Sequence, residues 1–364
     1  MKKTGIIIAG GIIGILAALL VKFGNPANMG VCVACFYRDI TGALGLHRAE
    51  TVQYIRPEII GFILGAFIIA FTSKEFRARG GSSPLLRFVL GFFVMIGALV
   101  FLGCPLRMIL RLANGDLNAL VGLFGYIFGI VIGIQFIKKG FSLGRNYKQT
   151  AVNGYIMPVF ASVLLLLAIT QPAFIFFSQK GPGATHAPLL FSLAAGLIIG
   201  AVVQKTRLCT VGGFRDAILI KDFHLLSGLV GIFVFALLGN LILNPSAFKI
   251  GFVDQPIAHN DFVWNFLGMT LAGLGSVLLG GCPLRQTILS AEGDTDAAVT
   301  VFGLMAGAAF AHNFGTAASP KGVPVNGQVA VIIGLVVVLA IAGLTVWQNT
   351  QSTMKAKEGV ALGQ

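Results

Sequence analysis

The chain has 364 residues and a formal net charge of +13, with 56% apolar and 11% charged residues. Its mean hydropathy of +0.89 excludes a chain surrounded by water, because soluble domains carry about a quarter of charged residues. The Lys and Arg residues are scattered between apolar runs, which also argues against a nucleic-acid partner. The solvent of this chain is therefore expected to be a lipid bilayer.

Apolar runs of about 17 to 25 residues recur along the whole chain, and each can cross a hydrocarbon core roughly 30 Å thick as a helix. The runs do not alternate between apolar and polar residues, so helices are predicted instead of a barrel. The predicted spans lie near residues 5–22, 57–73, 85–102, 117–137, 155–177, 187–203, 225–243, 262–280, 297–315 and 327–347.

Basic residues in the connections predict the orientation, because cytoplasmic loops carry an excess of Lys and Arg. An amino terminus in the cytoplasm of a bacterium places most of them on the inner side of its plasma membrane. They are Lys2, Lys3, Lys74, Arg77, Arg79, Lys138, Lys139, Arg145, Lys148, Lys205, Arg207, Lys221, Lys355 and Lys357. With ten spans, residues 348–364 form a cytoplasmic tail and both termini are cytoplasmic.

A repeat runs through the sequence. GCPLR occurs at residues 103–107 and again at 281–285, each time closing an apolar span. Downstream, eight residues from Ala113 to Gly129 recur from Ala291 to Gly307 at one fixed offset. Upstream, the segment CVACFYRD at 32–39 aligns with CTVGGFRD at 209–216. The chain therefore contains a duplicated unit.

Five spans separate equivalent points of the two halves. Because five is an odd number, the second half has the opposite orientation in the membrane. The first repeat is predicted over residues 1–153, with span 155–177 as its last helix, and the second over 178–318, followed by the final span. Segments 29–46 and 206–221 are too polar for full spans and are predicted as short re-entrant helices. The fold class is an all-α polytopic membrane protein with about ten transmembrane helices in two inverted repeats.

The cysteines follow the repeat. Cys32 and Cys104 correspond to Cys209 and Cys282, whereas Cys35 is replaced by Gly212 in the second half. Each thiol stands beside a Pro or Gly break, where a helix N-terminus can attract an anion or favour a thiolate. Alternatively, the cysteines are small buried residues that only fill the core. No spacing typical of a zinc site or a disulfide framework is present.

Four arginines are predicted at membrane depth, where an unpaired charge is costly: Arg38, Arg107, Arg215 and Arg285. They could bind a substrate anion. They could also be structural. In that case, the pairs Arg38–Asp39 and Arg215–Asp216 would form clamps with Asp116 or Asp294, and Arg107 and Arg285 would extend to the membrane–water interface. Both interpretations stay open.

Three further polar residues receive a structural interpretation. Asp116 and Asp294 follow a glycine immediately before a span, which is typical of an N-cap. His312 lies in the ninth span without a repeat equivalent, and it is predicted to be a satisfied packing residue. No phosphate-binding loop, dinucleotide fingerprint or hydrolase elbow is present, so neither a cofactor nor an enzymatic activity is predicted.

The duplicated Cys and GCPLR arrangement, from Cys32 to about Gly315, resembles the YeeE/YedE family of bacterial sulfur-transport membrane proteins. This resemblance implies uptake of thiosulfate or a related solute along a path lined by Cys104 and Cys282, with Cys32 or Cys209 nearby. The extra Cys35 resembles the branch of the family associated with selenium metabolism. A relay that forms a cysteine persulfide and passes it to a cytosolic carrier protein is the alternative.

Overall fold

The computed structural model describes residues 3–362 and, among their side chains, those of residues 3–351. Lys2 lies outside the described residues, and so do the side chains of Lys355 and Lys357. The helices are α1 (Lys3–Lys22), α2 (Val33–Ala43), α3 (Pro57–Thr72), α4 (Pro84–Val100), α5 (Pro105–Leu112), α6 (Asn118–Lys138), α7 (Ala151–Gly154), α8 (Ile156–Thr170), α9 (Leu189–Thr206), α10 (Thr210–Leu219), α11 (His224–Leu243), α12 (Phe262–Leu278), α13 (Pro283–Ala291), α14 (Thr295–Asn313) and α15 (Val325–Leu362). Two short strands, β1 (Arg79–Gly80) and β2 (Tyr147–Lys148), pair antiparallel.

The described chain contains eight helical segments long and apolar enough to cross a membrane, and the shorter apolar helices α3 and α8 bring the number to the expected ten. The prediction of an all-α polytopic membrane protein is confirmed. Two boundaries are wrong. The fifth span ends at Thr170, because Gln171 adopts a left-handed φ of 43° and Pro172 follows it. The last helix continues beyond residue 347 to Leu362.

Helices pack in pairs that follow the sequence repeat. Helix α6 packs on α12, and the equivalent helices α14 and α4 pack on each other; α1 packs on α11 and α3 on α9. Glycines permit these contacts: a Cβ on Gly65 would collide with the Leu197 carbonyl, and one on Gly129 with the Thr270 carbonyl. In lipid, such close backbone packing replaces the hydrophobic effect as the source of helix association.

The repeated Gly-Asp pairs form turns that join the two halves. Gly115 and Gly293 adopt left-handed φ values of 88° and 95°, which disfavour other residues. The Gly115 carbonyl accepts the Gly251 N–H at 3.0 Å, and the Gly293 carbonyl accepts the Arg79 N–H at 3.2 Å. Each turn thus binds a connection from the other half of the sequence. The repeat boundaries themselves stay a prediction.

A substitution at a close helix contact tests this packing. We expect Gly65→Val to lower the free energy of unfolding by roughly 1–3 kcal/mol, because α3 and α9 must separate to accommodate the side chain. The matched control is Gly343→Val, since no atom lies within 4 Å of a Cβ at that position. Thermal unfolding of the purified variants in detergent measures the difference; equal losses for both would contradict the packing.

His259, in the connection before α12, gives the stability a pH dependence. Its Nε2 donates to the Val100 carbonyl at 2.7 Å and its Nδ1 accepts the Asp261 N–H, and burial lowers its pKa from about 6.5. The unfolded chain therefore binds the proton more readily, so stability is complete above pH 6.5 and declines as the pH falls towards the lowered pKa. We expect unfolding temperatures to drop between pH 7.5 and pH 5.5, and less steeply in His259→Gln.

Candidate thiol-lined site

Both GCPLR motifs lie where a long helix breaks and a short one begins. Residues Leu102 and Gly280 adopt left-handed φ values of 63° and 77°, which end α4 and α12. Cys104 and Cys282 are then the extended N-caps of α5 and α13, each followed by proline in the first turn. The predicted position of the Gly-Cys pairs at helix starts is confirmed, and it leaves backbone N–H groups without helical partners.

Three thiols meet in the first half of the chain. Cys32 is the N-cap of α2, and its Sγ accepts the Cys35 N–H at 3.3 Å and lies 2.8 Å from the Cys35 Sγ. Cys104 lies beside Cys32, and the backbone N–H groups of Ala34 and Arg107 lie near its sulfur. All three cysteines are buried. We call this group the first thiol cluster.

The second half of the chain builds the corresponding arrangement with two thiols. Cys209 is the N-cap of α10, accepts the Gly212 N–H at 3.4 Å, and has its Sγ 3.7 Å from that of Cys282. The backbone N–H groups of Thr210 and Arg285 lie near the Cys282 sulfur. We call this pair the second thiol cluster. The sequence-predicted pairing of Cys32 with Cys104 and of Cys209 with Cys282 is therefore what the fold brings together.

The sulfur atoms of Cys104 and Cys282 each lie at the N-termini of two helices. Cys104 faces the starts of α5 and α2, and Cys282 faces the starts of α13 and α10. A helix N-terminus carries about half a positive charge and free N–H donors. The arrangement can therefore stabilise negative charge on a thiol or on a small anion at either cluster.

A buried tyrosine that sequence reasoning missed lies close to both clusters. Tyr126 of α6 exchanges a hydrogen bond of 3.1 Å with the Thr210 hydroxyl and interacts electrostatically with Cys104, Cys209 and Cys282. Its hydroxyl is the polar group that the two clusters share. The signal available in the sequence was a hydroxyl in the middle of a long apolar run.

Arg107 is fully buried and bound to the first thiol cluster. It donates to the backbone carbonyls of Asn28 at 2.6 Å, Ile257 at 3.1 Å and Leu102, and its Nη1 lies 3.3 Å from the Cys35 Sγ. No carboxylate among the described residues forms an ion pair with it. The expectation that Arg107 reaches to the membrane interface is therefore wrong, and its charge remains available beside the thiols.

Glycine at the first position of GCPLR has a physical reason. A Cβ on Gly103 would come within 2.8 Å of the Arg107 Cδ, and one on Gly281 within 3.2 Å of the Arg285 Cγ. Both arginines fold back across their glycine. The motif therefore positions a cation over the start of its own short helix.

Arg285 differs from Arg107 in having a carboxylate partner. Its Nη1 lies 3.0 Å from Glu292, which also binds Arg207 at 2.9 Å. Sequence reasoning did not select Glu292, although it replaces Asn114 at the equivalent position of the repeat and is an acidic residue in an apolar region. The second cluster consequently has a neutralised arginine where the first has an uncompensated one.

The aspartate clamps predicted for the remaining arginines have different partners. Arg38 pairs with Asp39 at 2.6 Å, and Asp39 also binds Arg56 at 2.7 Å. Arg215 pairs with Asp216 at 2.8 Å and remains partly exposed. The expected pairing with Asp116 or Asp294 is wrong, because neighbouring residues on the short helices α2 and α10 satisfy these arginines first.

The two repeat aspartates stabilise helix starts and bind other arginines. Asp294 is the N-cap of α14, accepting the Ala297 N–H, and it lies 2.8 Å from the Arg79 side chain. Asp116 binds Arg111 at 2.6 Å and accepts the N–H of Asn118, the first residue of α6. Capping is confirmed for Asp294, and Asp116 has a similar role for α6.

Two cavities flank the thiol clusters, and they lie at opposite ends of α4. The first, of about 490 Å³, is lined by Arg38, Leu102 and His312, and we call it the Arg38 cavity. The second, of about 240 Å³, is lined by Arg215, Gly280 and Arg87, and we call it the Arg215 cavity. Arg38 and Leu102 are the repeat equivalents of Arg215 and Gly280. Each thiol cluster thus has a cavity on its own side of the protein.

These features define a multi-pass helical membrane protein with a buried thiol-lined site between broken helices. Residues 205–360 match the family described as sulphur transport. The thiosulfate transporter TsuA of Spirochaeta thermophila is 34% identical over 105 residues, 29% of this chain and 31% of that protein. The thiosulfate transporter TsuA of Escherichia coli is 28% identical over 125 residues, 32% of each chain. The matched region spans about a third of the length of these curated relatives. Over this region the chain is similar to the YeeE/YedE family of sulfur-transport membrane proteins.

Mild oxidation tests the geometry of the first thiol cluster. We expect diamide to convert Cys32 and Cys35 to an intramolecular disulfide, with loss of both thiol hydrogens to the diamide, because their Sγ atoms lie 2.8 Å apart. Peptide mass spectrometry of the purified protein identifies the linkage. Cys35→Ala removes it, whereas Cys209→Ala leaves it unchanged. Recovery of both Cys32 and Cys35 as free thiols after oxidation would contradict the geometry.

Proposed function

We propose that the protein transports a small sulfur-containing anion, of the thiosulfate type, along a path through the two thiol clusters. The observation that carries this proposal is the convergence of two helix N-termini on each of Cys104 and Cys282, with an arginine next to each. The proposed path residues are Cys32, Cys35, Cys104, Cys209, Cys282, Arg107, Arg285, Arg38 and Arg215. No catalytic residue and no cofactor is part of the proposal.

The chemistry of the site suits such a cargo. A thiosulfate-like anion has a soft terminal sulfur and a hard oxyanion end. Thiol groups make weak contacts with the sulfur, which permits release at every step, and helix N-termini and arginine donate to the oxygens. The names of the two curated relatives support the same substrate class.

The proposed route has a direction that follows from the orientation of the chain. The anion enters the Arg38 cavity from outside the plasma membrane of a bacterium and meets Arg107 and the first thiol cluster. It then passes Tyr126 to the second thiol cluster and leaves through the Arg215 cavity. Both termini are cytoplasmic in this arrangement, and a cytosolic carrier protein receives the cargo.

Cys35 favours a second candidate function and a wider cargo. One thiolate can attack the sulfane sulfur of thiosulfate to form a persulfide, with sulfite as the leaving group. The second thiol, whose sulfur lies 2.8 Å from the first, can then take over that sulfur and regenerate the first thiol, which is the chemistry of a relay. A selenium-containing solute fits the same soft donors, and Cys35 is the residue that the second half lacks. In the relay, the labelled atom stays covalently bound to the protein instead of crossing free.

Uptake into proteoliposomes tests the proposal. We expect Cys104→Ala/Cys282→Ala to lower the uptake of labelled thiosulfate at least about tenfold, equivalent to roughly 1.4 kcal/mol, since both contact points for the sulfur are lost. Thr72→Ala is the matched control, because the Thr72 hydroxyl binds only carbonyls of its own helix. Selenite and selenosulfate are measured in parallel.

The fate of the label separates the two candidate functions. Free thiosulfate recovered inside the vesicles supports transport. Label bound covalently to Cys209 or Cys282, with none free inside, supports the relay. Uptake by the double variant at the rate of the wild-type protein would overturn the cysteine path.

A further inference from the structure

The Arg38 cavity places His312, which is outside the proposed path, beside the path residue Arg38. It holds about 490 Å³, enough for a small hydrated anion, and its lining combines Arg38 and His312 with Thr51 and Ser319. Arg38 and His312 line the same cavity.

Arg38 leaves one donor atom unused. Its Nε and Nη2 both donate to the Asp39 Oδ1, at 2.8 and 2.6 Å, while Nη1 forms no hydrogen bond with any described residue. Asp39 is shared with Arg56, so one carboxylate balances two guanidinium groups. Arg38 itself lines the cavity, so its guanidinium brings a positive charge and an unbonded Nη1 to this region.

His312 leaves one ring nitrogen unused. Its Nε2 is buried and has no partner among the described residues. The neighbouring His47 ring, 4.6 Å away, cannot supply one, because it already binds the Arg38 carbonyl and the Ala49 N–H. Leaving a buried polar atom unsatisfied costs roughly 1–3 kcal/mol, which a ligand in the cavity would recover. The prediction of a satisfied packing histidine is wrong.

The floor of the cavity connects these groups to the thiols. Leu102 and Ile257 both line the cavity, and their carbonyls accept hydrogen bonds from Arg107. Arg107 in turn contacts the Cys35 sulfur at 3.3 Å. An anion in the cavity therefore lies one arginine side chain away from the first thiol cluster.

The opposite face lacks this arrangement. The Arg215 cavity is about half as large, and Arg215 is balanced one-to-one by Asp216. The position equivalent to His312 in the repeat is Ile134, which offers no donor. The asymmetry between the two cavities is of the kind expected when one face captures a dilute solute and the other releases it.

We propose that Arg38 and His312 form a reception site for a small sulfur oxyanion at the outer mouth of the path. Arg38 Nη1 and the ring N–H of a neutral His312 donate to the oxygens of the anion before its sulfur reaches the thiols. A cation is disfavoured beside the Arg38 guanidinium, which lines the cavity. This inference rests on the proposed function for the identity of the anion and assigns it a first binding site.

Concentration-dependent uptake of labelled thiosulfate into proteoliposomes tests the site. We expect His312→Leu to raise the half-saturating concentration about tenfold while the maximal rate stays unchanged, since capture is weakened and the thiols are intact. His312→Gln retains an N–H donor and should remain within about threefold of the wild-type value. His224→Leu, which changes a histidine at the start of α11, is the matched control.

Equilibrium binding of labelled thiosulfate to detergent-solubilised protein separates this inference from the transport proposal. We expect Cys104→Ala/Cys282→Ala to retain binding and the addition of His312→Leu to abolish it. Retained binding in that triple variant, or a His312→Leu protein that transports with wild-type half-saturation, would overturn the reception site. Absence of uptake by the wild-type protein alongside His312-dependent binding would overturn transport and leave the site standing. Monodisperse elution in size-exclusion chromatography establishes folding, and His312→Phe, which also lacks an N–H donor, replaces His312→Leu if the latter aggregates.

Discussion

The structure depends on one electrostatic constraint: a helix broken inside a membrane exposes N–H groups that neither lipid nor the helix itself can satisfy. The breaks before α5 and α13 direct these groups at Cys104 and Cys282, and the short helices α2 and α10 direct theirs at the same sulfurs. Polarizable thiols accept such donors without carrying a fixed charge. The site therefore offers N–H donors to an anion, and the thiols satisfy these donors when no anion is bound.

The two halves satisfy their buried arginines differently. Arg107 is held by backbone carbonyls, which orient the guanidinium without cancelling its charge. Arg285 shares Glu292 with Arg207, which also pairs with Glu75, so two carboxylates balance these two arginines. The sequence repeat gives two similar sites, and differences such as Asn114 against Glu292 make them unequal. In the proposed path, that inequality favours binding of the anion on one side.

The same principle connects the thiol clusters to their cavities. Soft sulfur contacts are weak individually, whereas hydrogen bonds to an oxyanion from charged donors are roughly twice as strong as neutral ones. Strong donors at the rim and weak contacts in the interior suit a path that must capture a dilute anion and still let it leave. Tyr126 provides the polar group near both clusters, so the anion need not cross a fully apolar gap.

The sequence by itself determined the spans, the duplication and the pairing of the cysteines. Hydropathy is a local property of each run, and the fixed offset between GCPLR motifs makes the equivalence of Cys104 and Cys282 visible in one dimension. Only the tertiary structure decided the partners of the arginines, the orphaned nitrogen of His312 and the place of Tyr126. These features depend on contacts between residues far apart in the chain, such as Arg107 with Ile257 or Tyr126 with Thr210. No local sequence pattern encodes which distant carbonyl or hydroxyl will lie within hydrogen-bonding distance of a buried side chain.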